Sequence, residues 1–311
     1  MPHRVILRNL KALNLRRAEV TLALVKEYKQ DRVSHYTVKY VPINQSLERR
    51  LKGIITNKID NSNNVEEYSF DCPEPEADQV RAINYQETDF FKIFEQLTTL
   101  NPEVDVIADV DELVRAKAYI IILRNRDGIQ VVGFKTIPEN WKMKRDRGLI
   151  SLLYRENRFE DLEAENVFSI ANTVDLLYFN ETIFILSKKE FEHGLNFREG
   201  MIAGANEMYA EVQQLNLFVN MNVLTTKVGN NQRYLRKIAT IQNLGHYRNP
   251  MFLERMQLLS QAKGWNIEFQ NGQIVFTDET IDDILTLLQN KRLHSELTDE
   301  DFDVESVKPL L

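Results

Sequence analysis

The sequence has 311 residues, 43% of them hydrophobic and 27% charged, which are ordinary proportions for a folded protein with a sizeable core. The formal net charge is −7, and apolar runs such as YIIIL at 119–123 are far shorter than the roughly 18–20 residues that a membrane-spanning helix needs. A single cysteine, Cys72, excludes an internal disulfide framework, and the first residues carry no secretory signal pattern, so we expect a cytoplasmic protein in a reducing compartment.

The first third of the chain predicts a mixed α and β region. Segments 20–28 and 34–43 are rich in β-branched and aromatic residues, which is typical of strands. Segment 44–59 has the apolar spacing of a helix. Segment 60–78 is polar, acidic and interrupted by two prolines, so we expect a loop or a poor strand. Residues 87–100 are again predicted to be helical, because their phenylalanines recur on one side.

The middle of the chain predicts antiparallel strands. Two apolar runs in 118–137 flank an Asp-Gly pair, which is a strong hairpin signal. Segment 148–154 continues the pattern, and 174–187 predicts a second hairpin around an Asn-Glu pair. We therefore expect a meander of five or six strands, in which the basic segment 135–148, KTIPENWKMKRDRG, is a connection.

The last third predicts helices. Apolar residues along 201–219 recur at steps of four and three. A core helix is the first interpretation of that seam, and a dimer interface is the second. Helices are also predicted at 231–244, at 250–263 and at 279–290, with a hairpin at 265–277 turned by an Asn-Gly pair.

These elements predict an α+β fold. Its antiparallel meander sheet is flanked by a mixed N-terminal region and by a mostly helical C-terminal region that ends in a β-hairpin and a helix. We expect a mixed α/β region over 1–115 and the sheet with the helical region over 116–311, with a further boundary possible near 188.

Charges are segregated along the chain. Segment 1–58 has thirteen basic and four acidic residues, 124–158 has nine and four, and 227–263 has seven and one. Acidic residues dominate 60–111 and 278–305. Such blocks are typical of solvated faces that pair with one another. The alternative is a protein that presents basic faces to a polyanion.

Signatures of catalysis, cofactor binding and metal binding are absent from the sequence, so we expect none of these sites and no enzyme. The five histidines are scattered, and no phosphate-binding glycine loop or nucleophile elbow is present. One alternative is a metal-dependent nuclease, because Glu27 and Lys29 have the acid-x-lysine spacing that can hold a metal ion, with Glu19 as the upstream acid.

Two basic features suit phosphate oxygens. On the predicted helix 231–244, positions i, i+3, i+4 and i+7 share one face and offer cations and a hydroxyl, with a further arginine shortly after the helix. The other interpretation is a plain amphipathic surface helix. The residues predicted to contact DNA in this region are Arg233, Arg236, Lys237 and Arg248, with Thr240 on the same face.

The second feature is the basic connection after Pro138, which contains a tryptophan among its cations. Such a tryptophan stacks on a base or anchors the loop to its own domain, and both interpretations stay open. The cations would follow the phosphate backbone without reading its sequence. The predicted contacts in this connection are Lys142, Lys144, Arg145 and Arg147, beside Trp141.

The order of segments over 119–207 resembles the B-component family of the Kiwa anti-phage defence system. The segments that show the resemblance are the strand pair YIIILRNRDGIQVVGFKTI, the short strand ending in RFEDL, the hairpin VDLLYFNETIFILSKKEFE and the helical start REGMIAGANE. The end of the chain, ILTLLQNKRLHSELTDEDFDVES, is similar as well. The resemblance covers roughly 119–305 and rests on segment order and residue type.

The resemblance implies a non-enzymatic effector that binds DNA and associates with itself as a dimer. It also implies a membrane-embedded partner, the A component, which recruits the protein to the inner face of the inner membrane. The expected result is a block of phage DNA replication or expression. A metal-dependent nuclease and a scaffold subunit that does not bind DNA are the alternatives. No DNA contact transfers by position, because the shared motifs belong to the fold.

Overall fold

A computed structural model of the protein describes residues 2–30, 33–70, 72–87, 93–98, 104–108, 111–138, 152–155, 158–161, 170–194 and 197–304. The chain forms two compact units. The first unit contains residues 1–68 and 74–196, and the second contains 69–73 and 197–311. A strand that precedes residue 115 in the sequence pairs with one that follows it, and both belong to the first unit. The main part of the second unit begins at residue 197.

An eight-stranded sheet forms the centre of the first unit. Its strand order is β2-β1-β5-β6-β9-β10-β4-β3, and each neighbouring pair is antiparallel except β3 with β4. These strands are β1 (Glu19–Gln30), β2 (Val33–Val41), β3 (Asn64–Glu67), β4 (Gln79–Asn84), β5 (Ala116–Arg124), β6 (Gln130–Thr136), β9 (Leu176–Phe179) and β10 (Thr182–Ile185). Two further strands, β7 (Leu152–Arg155) and β8 (Arg158–Asp161), pair only with each other.

The α+β class predicted from the sequence is confirmed, but the sheet is larger than the predicted meander. The predicted hairpins β5–β6 and β9–β10 form its middle, and N-terminal strands extend it on both sides. Strand β1 lies inside the sheet because its residues from Leu22 to Val25 are buried on both faces. The hairpin turn at Asn180 and Glu181 has φ of 48° and 56°, as a two-residue turn between twisted strands requires.

Helices cover one face of this sheet. The N-terminal helix was not predicted from the sequence. Leu7 and Leu10 from that helix, and Leu51, Ile55 and Ile59 from the next, are buried in one cluster with residues of β1 and β5. The helices of the first unit are α1 (Pro2–Ala12), α2 (Gln45–Asn61), α3 (Asp111–Val114) and α4 (Lys188–His193), with short 3-10 helices at Tyr85–Glu87 and Ile93–Thr98.

Gly133 of β6 makes the close packing of α2 on the sheet possible. A Cβ atom at this position would collide with the Cδ1 of Ile55 and lie 3.1 Å from Cγ1 of Val174. We therefore expect Gly133→Ala to lower the free energy of unfolding by about 1–3 kcal/mol, the usual cost of overpacking a core. Urea denaturation measures this loss. A double variant with Ile55→Val should recover part of it, and equal stability of Gly133→Ala and wild type would contradict the packing argument.

The second unit is mainly helical. The predicted helix at 201–219 ends at Gln214, and Leu215 and Val219 of its apolar seam are exposed, so the seam extends only from Met201 to Val212. The elements are α5 (Phe197–Gln214), α6 (Met221–Val228), α7 (Gln232–Leu244), α8 (Pro250–Lys263) and α9 (Ile281–Leu288), with hairpins β11 (Glu268–Gln270)–β12 (Gln273–Val275) and β13 (Arg292–Ser295)–β14 (Glu300–Asp303). No helix in the described parts of the chain is both long and apolar enough to cross a membrane.

Candidate nucleic-acid interface

Helix α7 forms where the sequence predicts it. Asn231 caps its start by accepting a hydrogen bond from the N–H of Arg233 at 3.0 Å, and Gly245 ends it in the left-handed conformation. Arg233 is exposed and Arg236 is half-buried. Thr240, predicted to lie on the cationic face, is buried instead.

Lys237 forms an ion pair within the second unit. Its Nζ donates to Oδ1 of Asp282 on α9 at 2.7 Å, and the hydroxyl of Tyr234 donates to Oδ2 of the same carboxylate at 3.0 Å. Burial opposes ionisation of Asp282, but the hydrogen bonds from Lys237 and Tyr234 hold the pKa of Asp282 below its ordinary value. The charge of Lys237 is therefore balanced within the protein.

Arg248 is also paired. Its Nε and one terminal nitrogen donate to the two carboxylate oxygens of Glu211 at 2.5 and 2.8 Å, and the hydroxyl of Tyr247 donates to Glu211 at 2.5 Å. The hydrogen bonds from Arg248 and then Tyr247 lower the pKa of Glu211 from 4.5 to about 2. Such a two-point pair fixes the guanidinium, so the charge of Arg248 is balanced by Glu211 although the side chain is exposed.

The basic connection lies outside the described residues. Trp141 and four predicted DNA contacts belong to this connection, so their role in DNA binding stays a prediction. The four are Lys142, Lys144, Arg145 and Arg147.

The first unit has a basic surface that the site prediction did not include. Three open grooves run along α1 and α2, with volumes of about 730, 580 and 340 Å³. The 730 Å³ groove shares Lys11 with the 340 Å³ groove, and it shares Arg49 and Gly53 with the 580 Å³ groove. We call these the α2 grooves. Their basic lining residues are Arg4, Arg8, Lys11, Arg16, Arg49, Arg50, Lys52 and Lys58.

The cations of the α2 grooves form no ion pairs with acidic side chains in the part of the chain that the structure describes. Asp60 is the one acidic residue that lines them, and none of the eight basic side chains forms an ion pair within the described part of the chain. Lys11 donates to the backbone carbonyl of Asp60 at 3.2 Å and to Oδ1 of Asn63 at 2.9 Å. Lys52 donates to the carbonyl of Arg16 at 3.2 Å. Neutral acceptors orient these ammonium groups and leave their charge uncompensated.

Helix geometry explains why α2 presents these groups. The side chain of Asn44 caps the helix by accepting from the N–H of Leu47 at 2.9 Å. Leu51, Ile55 and Ile59 recur every four residues and face the core. The opposite side is therefore solvent-exposed, and its residues line the grooves. Charge counting over 1–58 indicated this block, but α1, which lines two of the three grooves, was not predicted.

Two other cations of the N-terminal basic block are neutralised. Lys26 and Lys39 on β1 and β2 both form ion pairs with Glu112 of α3, the latter at 3.2 Å. Burial opposes ionisation of Glu112, but these lysines and the N–H of Ala108 lower its pKa from 4.5 to about 2. The net positive charge of 1–58 is thus concentrated on the helices rather than on the strands.

The residues of the nuclease hypothesis do not form a common site. Glu19 and Glu27 lie at opposite ends of β1, about 26 Å apart at the usual rise of a strand. Glu27 accepts from the hydroxyl of Ser34 at 2.6 Å and pairs with Lys117 at 3.1 Å. Among the described residues no group of three or more His, Cys, Asp or Glu could hold a metal ion.

Comparison with known proteins assigns the chain to a family. No curated protein and no solved structure matches it. The family model described as "Kiwa protein KwaB-like" matches residues 113–298, which is more than half of the chain. The match covers most of the sheet's middle strands and nearly all of the second unit, whereas α1 and α2 precede it. The chain therefore belongs to the Kiwa protein KwaB-like family and is a component of Kiwa anti-phage defence.

Proposed function

We propose that this defence component binds DNA through phosphate contacts in the α2 grooves, without strong sequence preference. The observation that carries the proposal is the imbalance of charge in the grooves. Eight basic side chains and one acidic residue line them, in a protein whose net charge is −7. Lysine and arginine side chains that lack a carboxylate partner are the groups that neutralise phosphates and release their counterions.

The second unit offers a weaker contact. Arg233 is exposed on α7 and Arg236 is half-buried, whereas Lys237 and Arg248 are held by Asp282 and Glu211. We expect Arg233 to add a phosphate contact of its own, together with the cations of the basic connection. The α2 grooves should contribute more to binding, because no described acidic side chain forms an ion pair with their cations.

The family resemblance supports the remaining parts of the proposal. The protein would act as a homodimer and would work with the membrane-embedded A component, which places it at the inner face of the inner membrane. Binding there would impede phage DNA replication or expression without catalysis. A scaffold that does not bind DNA is the second candidate, supported by the pairing of the 227–263 and 278–305 charge blocks through Lys237 and Asp282.

The proposal predicts strongly salt-dependent DNA binding. Fluorescence anisotropy with a labelled duplex should show affinity falling by about 10³-fold or more between about 50 and about 200 mM salt, as for proteins that make six or more phosphate contacts. Duplexes of unrelated sequence should bind with similar affinity. Absence of salt-sensitive binding would favour the scaffold. Shortening of the duplex by the wild-type protein when Mg²⁺ or Mn²⁺ is added would favour the nuclease.

A further inference from the structure

Gly53 stands in the middle of α2, where a glycine weakens a helix relative to alanine. Glycine is often required by a positive φ or by a close neighbour, but neither reason holds here. Gly53 is absent from the positive-φ glycines, and a Cβ atom added to it would meet no described atom within 4 Å. The folded protein itself therefore does not need a glycine at this position.

Gly53 lies between two of the α2 grooves and lines both of them. The groove on the α1 side has cations from Lys11, Arg16 and Lys52. The groove on the other side has Arg50 and Lys58. Helix α2 is thus a ridge with a row of positive charge along each side, and the ridge has no side chain at its midpoint.

This arrangement matches the major groove of double-stranded DNA. That groove is about 12 Å wide and admits an α-helix, whose diameter with side chains is about 10–12 Å. A helix inside it has one phosphate backbone on each side. A missing side chain on the inserted face lets the helix approach the base edges more closely. Arg49 and Asn57, one turn before and after Gly53, are exposed and can donate hydrogen bonds to phosphate oxygens at the walls of the groove.

The composition of the grooves argues against single strands as the preferred ligand. Proteins that hold single-stranded nucleic acid stack its bases on aromatic side chains. Among the described residues that line the three α2 grooves, none is aromatic. A bilayer surface is disfavoured as well, because Leu7 and Leu10 on the apolar side of α1 are buried in the core and are not available for insertion.

We propose that α2 inserts into the major groove of double-stranded DNA, with Gly53 at the point of closest approach and the flanking cations on the two backbones. The inference rests on the proposed DNA binding and adds to it the form of DNA and the way it is bound. It assigns a role to a glycine that the fold does not require.

Substitution at Gly53 separates binding from stability. Gly53→Ala and Gly53→Leu should leave the thermal unfolding temperature unchanged or higher, because both residues favour helix over glycine. Gly53→Leu should weaken duplex binding by about tenfold or more, since the added side chain holds α2 away from the groove and weakens the flanking phosphate contacts. Gly53→Ala should have a smaller effect in the same direction, and affinity for single-stranded DNA should change little. Gly204→Ala in the interior of α5 is the matched control and should leave DNA affinity unchanged.

Competition on the full-length protein completes the test. Methyl green, which occupies the major groove, should displace the protein from a labelled duplex, and netropsin, which occupies the minor groove, should not. The major-groove inference would be overturned if Gly53→Leu bound the duplex as tightly as wild type, or if it lost equal affinity for duplex and single strand. Salt-sensitive binding by the wild-type protein would still support the proposed function in that case. A wild-type protein that binds no DNA would overturn the proposed function itself.

Discussion

Charge reversal at Arg49, Arg50 and Lys58 should reduce DNA affinity by about 100-fold or more at low salt, because each substitution removes a phosphate contact and adds a repulsive charge. These three side chains line the groove that contains no residue of α1, and they form no ion pair within the described part of the chain. The fold should tolerate the change, because the core face of α2 is formed by Leu51 and Ile55.

The salt dependence gives the sharper measurement. The slope of log K against log salt should become shallower by about three, since each lost contact contributes about 0.9. A control with Lys29, Arg126 and Lys189 changed to glutamate alters the net charge equally, at exposed positions outside the α2 grooves. If both triple variants lose affinity equally, general charge rather than the grooves explains binding.

The second unit supplies an internal comparison for that experiment. Reversal at Arg233, Arg236 and Lys237 should weaken binding less than reversal in α2, because the Lys237 charge is already balanced by Asp282. Reversal at Lys142, Lys144 and Arg145 tests the basic connection in the same assay. A larger loss from either of these variants than from the α2 variant would show that the site assignment is wrong.

Local signals were sufficient for much of the fold. The Asn-Gly and Asn-Glu turns locate their hairpins because positive φ at two adjacent residues is a local requirement. Asn249, Pro250 and Gly264 likewise locate α8, whose cap accepts from the N–H of Met251 at 3.1 Å. These elements were predicted close to their observed bounds, since their signals lie within a few residues.

Long-range pairing was not predictable in the same way. The sheet order places β4 beside β10, about a hundred residues later, and no local pattern indicates that neighbour. The candidate site shows the same difficulty. Charge counting identifies basic blocks. Only the folded chain shows that Lys237 and Arg248 have carboxylate partners, whereas Arg49 and Arg50 have none among the described residues.

Lys135 shows how large this difference can be. By sequence it is the first cation of the basic segment 135–148, yet its ammonium donates to Oδ1 of Asp175 at 2.6 Å. The other oxygen of Asp175 accepts from the N–H of Thr136 at 2.9 Å. The Asp175 side chain is buried, with 3% of its surface exposed, and the Lys135 side chain is mostly buried, with 13% exposed. Burial raises the pKa of Asp175, so its charged form depends on these two hydrogen bonds.

Asp175→Ala should therefore be the most destabilising of the substitutions considered, lowering the free energy of unfolding by about 3–5 kcal/mol, because it leaves the Lys135 charge buried without a partner. Chemical denaturation monitored by circular dichroism measures the loss. The double variant Lys135→Met with Asp175→Leu removes both charges and should recover most of the stability, since an apolar replacement of a buried pair is often neutral or favourable. Equal losses in the single and double variants would mean that Asp175 acts through the backbone N–H of Thr136 rather than through Lys135. Recovery in the double variant would establish that Lys135 belongs to the core of the first unit and not to a DNA-binding surface.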